Sequence, residues 1–180
     1  MPHISPRLQN ALIGAVILVV TAVFSYQMFP STSLSASLDS KSDKTYVSGR
    51  YGIYFLYPAE YHLRQEDFGG PAPLHHAIVL KAESGSIVID MYENEPEYMS
   101  ALDFVKNYPD LAVRFGNNSP DVVTRGSVAG IDFSWAPPYA GHSFVVARKG
   151  FVYAFSIEGN NDSATFSDYE RILDSVSLSL

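Results

Sequence analysis

Beyond its first ten residues the chain carries four histidines, His62, His75, His76 and His142, and no cysteine. Without thiols there is no cysteine nucleophile, disulfide, thiolate metal site or lipidated N-terminal cysteine. His75 and His76 are adjacent, so a strand sends their side chains to opposite faces and the two cannot chelate one ion. His62 and His142 stand alone in sequence. No GxSxG elbow, HExxH helix or phosphate-binding glycine loop accompanies any of them. An exported hydrolase built from histidines and carboxylates brought together by folding is therefore the alternative reading, and a non-catalytic domain the primary one.

Two further clusters invite chemistry. Asp90, Glu93, Glu95 and Glu97 are the densest acidic group. A continuing strand would place 93, 95 and 97 on one face, as hard oxygen ligands for Ca²⁺ or Mn²⁺ require. Pro96 interrupts that regularity, so the spacing favours a solvated acidic surface over an ion-binding module. The loop WAPPYAGH at 135–142 sets the only tryptophan, Trp135, with Tyr139 and His142 around a stiff proline pair. Rigid aromatics on a loop make binding hot spots. The competing reading, favoured by the prolines, is a stiffened connection with Trp135 in the core.

These residues need a scaffold, and the pattern from 46 onward supplies one. Short apolar alternations punctuated by Gly, Pro and Asn predict strands over 46–48, 52–57, 74–82, 86–92, 122–128, 131–136, 143–148 and 151–157. In the fourth of these, Ile87, Ile89 and Met91 share a face while Val88 and Asp90 point away. Ser100 with Asp103 predicts a capping box, and Pro109 predicts that the helix it starts is short or restarts. A second helix runs from about 163 or 167 to 175, with Ser167 and Glu170 as its box and Phe166, Tyr169, Ile172, Leu173 and Val176 along one stripe. The order β-β-β-β-α-β-β-β-β-α, with hairpin-connected neighbours, predicts an α+β fold: a central antiparallel sheet flanked by helices.

The N-terminal part is of another kind. Residues 8–38 hold no charge. As a helix rising ~1.5 Å per residue, 11–29 covers ~28 Å, close to the ~30 Å core of a bilayer. Arg7 places 1–10 in the cytoplasm and sends the chain outward as a single-pass signal anchor. A cleaved signal peptide, with small residues at Val23 and Ser25 or at Ser33 and Ser35, is the alternative and would leave a secreted domain. The Ser-rich stretch 30–45 has too little apolar surface to fold and reads as a flexible tether. Beyond it, 46–180 holds nine Lys/Arg against seventeen Asp/Glu. That balance argues against nucleic acid, whose phosphates need clustered Lys/Arg.

Four stretches carry a resemblance to a known family: YGIYFLYP at 51–58, GSVAGIDF at 126–133, RKGFVYAFSI at 148–157 and YERILDSVSL at 169–178. Over 46–180 the chain resembles the PsbP-like family. The resemblance implies an α/β/α sandwich around a central antiparallel sheet. Photosynthetic members of that family bind a membrane photosystem and assist ion retention, and many bacterial relatives are secreted or anchored. It implies no binding residue here. The expectation is a membrane-tethered, extracytoplasmic accessory domain whose partner is an extracytoplasmic or membrane protein.

Overall fold

The computed structural model describes residues 42–68, 75–94, 100–148, 150–159 and 163–179. Their elements are β1 (Lys44–Ser48), β2 (Ile53–Tyr57), β3 (His62–Phe68), β4 (His75–Ala82), β5 (Gly85–Glu93), α1 (Ala101–Asn107) and α2 (Pro109–Phe115) in the first part. There follow β6 (Asp121–Arg125), β7 (Val128–Ser134), β8 (Gly141–Arg148), β9 (Phe151–Glu158), α3 (Ala164–Ser175) and β10 (Ser177–Leu178). The expected span at 11–29 lies outside the described residues. Among those described, no helix is long and apolar enough to cross a membrane. Lys44 and Thr45, at the end of the expected 30–45 tether, are paired in β1.

Seven strands form one sheet in the order β3-β4-β5-β9-β8-β7-β6, and β1-β2-β10 form a second. Every pair is antiparallel. β1 and β2 thus stand apart from the central sheet, against the expectation of one sheet for all the strands. The large sheet has two unlike faces. One face presents Ile78, Leu80, Ile87, Ile89, Met91, Phe144, Tyr153, Phe155 and Ile157, all buried with Tyr46, Ile53 and Phe55 of the small sheet and Tyr169, Ile172 and Leu173 of α3. Burying a side chain such as Phe155 contributes about 1.5–3 kcal/mol. The other face buries Val145, Val152, Ala154, Ile131 and Phe133 against Phe104, Val105, Leu111 and Phe115 of α1 and α2.

Buried hydroxyls stitch these layers together. Tyr153 donates to the carbonyl of Tyr51 at 2.6 Å, tying the two sheets. Tyr169 donates to the carbonyl of Phe155 at 3.1 Å, tying α3 to β9. Each bond gives a buried phenol hydroxyl its acceptor.

Local details follow the sequence in most places. The Ser100 hydroxyl accepts from the Asp103 amide at 3.1 Å and donates to its carboxylate at 2.7 Å. Tyr108 is extended before Pro109, and a second helix starts there, since proline has no amide to lose at a helix's first position. Four expectations need correction. Of the two expected starts Ser163 caps α3, its hydroxyl accepting from the Phe166 amide, so the box expected at Ser167 lies inside the helix. The β6–β7 turn is Gly126–Ser127; Ala129 and Gly130 are within β7. β3 and β10 carry too weak an alternation to be read: β3 is an edge strand with both faces largely polar, and β10 has two residues.

Candidate functional site

The two helices on the second face cover the β7–β8–β9 end and reach Tyr92 of β5, whose ring meets Phe104 and Tyr108. Across β3, β4 and β5 the register lays out rows of side chains that run out from beneath the helices, their inner ends at Tyr92, Val152 and Ala154 packed against α1 and α2. One row runs Phe68, His75, Tyr92, Val152; the next Glu66, Ala77, Asp90, Ala154; the third Arg64, Val79, Val88, Ser156. Period two explains the composition, because the alternate residues of the same strands are the apolar ones facing α3. With Asp110 and Arg114 of α2 and Trp135 as its wall, this floor bounds a groove of about 230 Å³.

Trp135 is held firmly in that wall. Its indole N–H donates to the Ser143 hydroxyl at 2.8 Å, and Ser143 meets Ser156 at 2.9 Å. Its backbone amide donates to the Gly141 carbonyl at 2.9 Å. The Arg114 guanidinium lies 4.6 Å from the centre of the Trp135 ring, close enough for a cation–π contact.

At one end of the groove the histidines sort as their adjacency requires. His75 Nε2 lies 2.6 Å from Asp90 Oδ1, with its ring stacked between Phe68 and Tyr92 at 4.9 and 4.4 Å. His76 turns to the opposite face, where Nδ1 lies 2.5 Å from Asp67 Oδ1 and the ring stacks on Tyr51. With Asp67 as a carboxylate, Nδ1 is the donor. The His76 Nε2 is buried without a hydrogen-bond partner among the described residues. Arg50, Tyr51, Asp67, Phe68, His75, His76 and Glu93 enclose a cleft of about 190 Å³ here. Burial, reinforced by the charge of Asp90, pushes the Tyr92 phenol far above its ordinary range, so it stays protonated.

His142 belongs to a different network, on the face toward α3. Its Nε2 is paired with Asp132 Oδ1. Asp132 Oδ2 accepts from Arg125 at 3.2 Å, and Arg125 donates to Glu170 of α3 at 2.6 Å. Burial alone would raise the Asp132 carboxyl; the hydrogen bond and charge of His142, with those of Arg125, outweigh it and hold the carboxyl below its ordinary value. Ser134 Oγ stands 3.4 Å from His142 Nδ1, across the β7–β8 pair. The arrangement is a serine, histidine and aspartate in a chain, with a long first contact.

The residues singled out in the sequence therefore separate. Trp135 lines the groove, Tyr139 is exposed in the loop, and His142 is on the sheet's opposite face. Asp90 pairs with His75, Glu93 ends β5, and Glu95 and Glu97 lie outside the described residues. Among the described residues no group of three or more His, Asp or Glu could hold a metal ion. His62 is at the start of β3 beside a broad depression with Glu60, Lys81 and Glu83. Missed in the sequence were Asp67, Asp132 and Arg114, whose roles depend on cross-strand and interlayer partners that no local pattern reveals.

No family model and no curated protein matches the chain. Among solved structures it is similar to the solution structure of cyanobacterial PsbP (CyanoP) from Synechocystis, at 14% identity and a TM-score of 0.51 over 79% of this chain and 96% of that one. It is also similar to a crystal structure of a protein from Bacteroides thetaiotaomicron, at 12% identity and a TM-score of 0.48 over 76% of this chain; the chain spans 48% of that protein's length. The likeness to cyanobacterial PsbP shows a PsbP-like fold, and at this identity it transfers fold and no residue role.

Proposed function

We propose that this chain is a non-catalytic accessory domain that binds a protein partner through the open face of its large sheet, held outside a membrane by 11–29 and the tether that follows. The observation that carries the reading is the groove beside Trp135: a concave strip of sheet face that opens beside α2, with a locked aromatic wall. Rigid aromatics of this kind anchor interfaces at little entropic cost. A PsbP-like fold is compatible with such an accessory role.

The test is a pull-down from solubilised membranes with the full chain, run beside Trp135→Ala and Val88→Asp variants. Partners captured by the wild type and lost by both variants support the reading. Equal capture by all three would remove the groove from it. Protease treatment of cells with opened outer layers tests the location: digestion of the domain fits the proposed orientation, and protection refutes it.

One observation favours a second reading. The chain Ser134, His142, Asp132 has the residue types of a nucleophile, base and orienting acid, so an exported hydrolase is the alternative. Those three residues line none of the clefts described above, and the 3.4 Å contact is long for proton transfer. A fluorophosphonate probe decides it: labelling lost in Ser134→Ala would favour the enzyme.

A further inference from the structure

The groove's lining has a definite chemical character. Its floor is apolar at Ala77, Val79 and Val88, and its lining holds four carboxylates, those of Glu66, Asp90, Asp110 and Glu158, with the guanidinium of Arg114 in the wall and that of Arg64 in the adjoining row. Two of the four are compensated: Glu66 by Arg64 at 2.7 Å and Asp90 by His75 at 2.6 Å. Asp110 and Glu158 have no ion pair among the described residues. They stand on different elements, α2 and the end of β9, and the apolar floor lies in the same groove. Arg114 is turned to the Trp135 ring.

We propose that the groove takes a basic segment of the partner protein, with a Lys or Arg stem lying on Ala77, Val79 and Val88 and its charged head against Asp110 and Glu158. This rests on the reading of the open face as the binding surface and adds the chemistry of what binds. Lys and Arg are the side chains that pair a long apolar stem with a cationic head. A concave site with low-dielectric walls strengthens the attraction, and the uncompensated carboxylates reject acidic segments by repulsion. A purely apolar segment would leave both carboxylates desolvated and unpaired, which burial penalises.

Trp135 is the only tryptophan in the chain, so its emission reports on the groove alone. The full chain in neutral detergent is titrated with a capped hexapeptide alternating lysine with alanine, and separately with its glutamate counterpart. The expected result is a saturable change in Trp135 emission with the lysine peptide that weakens as salt is raised, and no change with the glutamate peptide. An Asp110→Asn/Glu158→Gln double variant, both sites exposed and its fold checked by circular dichroism, binds the lysine peptide about tenfold more weakly, as the loss of two opposing charges implies. Equal response to both peptides, wild-type affinity in the double variant, or no response to the lysine peptide up to millimolar concentration overturns the proposal. The binding-domain reading is judged apart from it: partners lost by Trp135→Ala in the pull-down would keep that reading even when the basic-segment proposal fails.

Discussion

The indole N–H of Trp135 donates to the hydroxyl of Ser143 at 2.8 Å, and that hydroxyl is fully buried in the face of the large sheet. A loop residue is thereby fastened to the central strands, and the wall of the groove becomes part of the rigid scaffold. Ser143→Ala removes the acceptor and leaves the indole donor facing a methyl group. The expected cost is about 1–2 kcal/mol, read as a lower urea midpoint together with a shifted Trp135 emission maximum. An unchanged midpoint and spectrum would show that the loop is held by other contacts.

Gly141 tests the same wall sterically. A Cβ there would meet the Ile157 carbonyl and the Trp135 ring, each at 2.5 Å. The ring must move, and the strand backbone must shift as well to clear the carbonyl. Gly141→Ala is expected to destabilise the fold by about 1–3 kcal/mol and to increase quenching of Trp135 by added acrylamide. Wild-type quenching would contradict the packing.

Tyr153 bridges the two sheets through its bond to the Tyr51 carbonyl. In Tyr153→Phe the buried carbonyl loses its donor, and stability falls by about 1–3 kcal/mol. Amide exchange should quicken first in β2, where the small sheet loosens. Uniform exchange across both sheets would count against the bridge.

The Asp132 carboxyl is held below its ordinary value despite burial, by His142 and Arg125. A lowered folded pKa stabilises in full above the unfolded aspartate value of about 3.9, and that contribution disappears as pH falls through the lower folded value. Asp132→Asn should therefore be less stable than wild type at pH 6, with the gap closing toward pH 2. Urea midpoints across that range measure it; a gap independent of pH would exclude this role for the carboxylate.

Much of the architecture was legible because it rests on local periodicity. The β8–β9 hairpin alternates apolar residues on both faces, the Tyr108–Pro109 break follows from the missing amide and ring of proline, and the opposed side chains of His75 and His76 follow from period two. β3 was illegible for the opposite reason. As an edge strand it buries little on either face, so HLRQEDF has no apolar rhythm to read.

The chain's own sequence determined the α+β class, the hairpins, the acidic character of 46–180 and the candidate status of Trp135, all properties of composition and of neighbours a few residues apart. Only the tertiary structure decided which residues meet. His75 finds Asp90, and His142 finds Asp132 and through it Arg125 and Glu170, by strand register and by the packing of α3. It also separated Trp135 from His142 onto opposite faces of one sheet. Those pairings span distant parts of the chain, and the free energy that selects them is the burial of both sheet faces at once, a quantity that no local window contains.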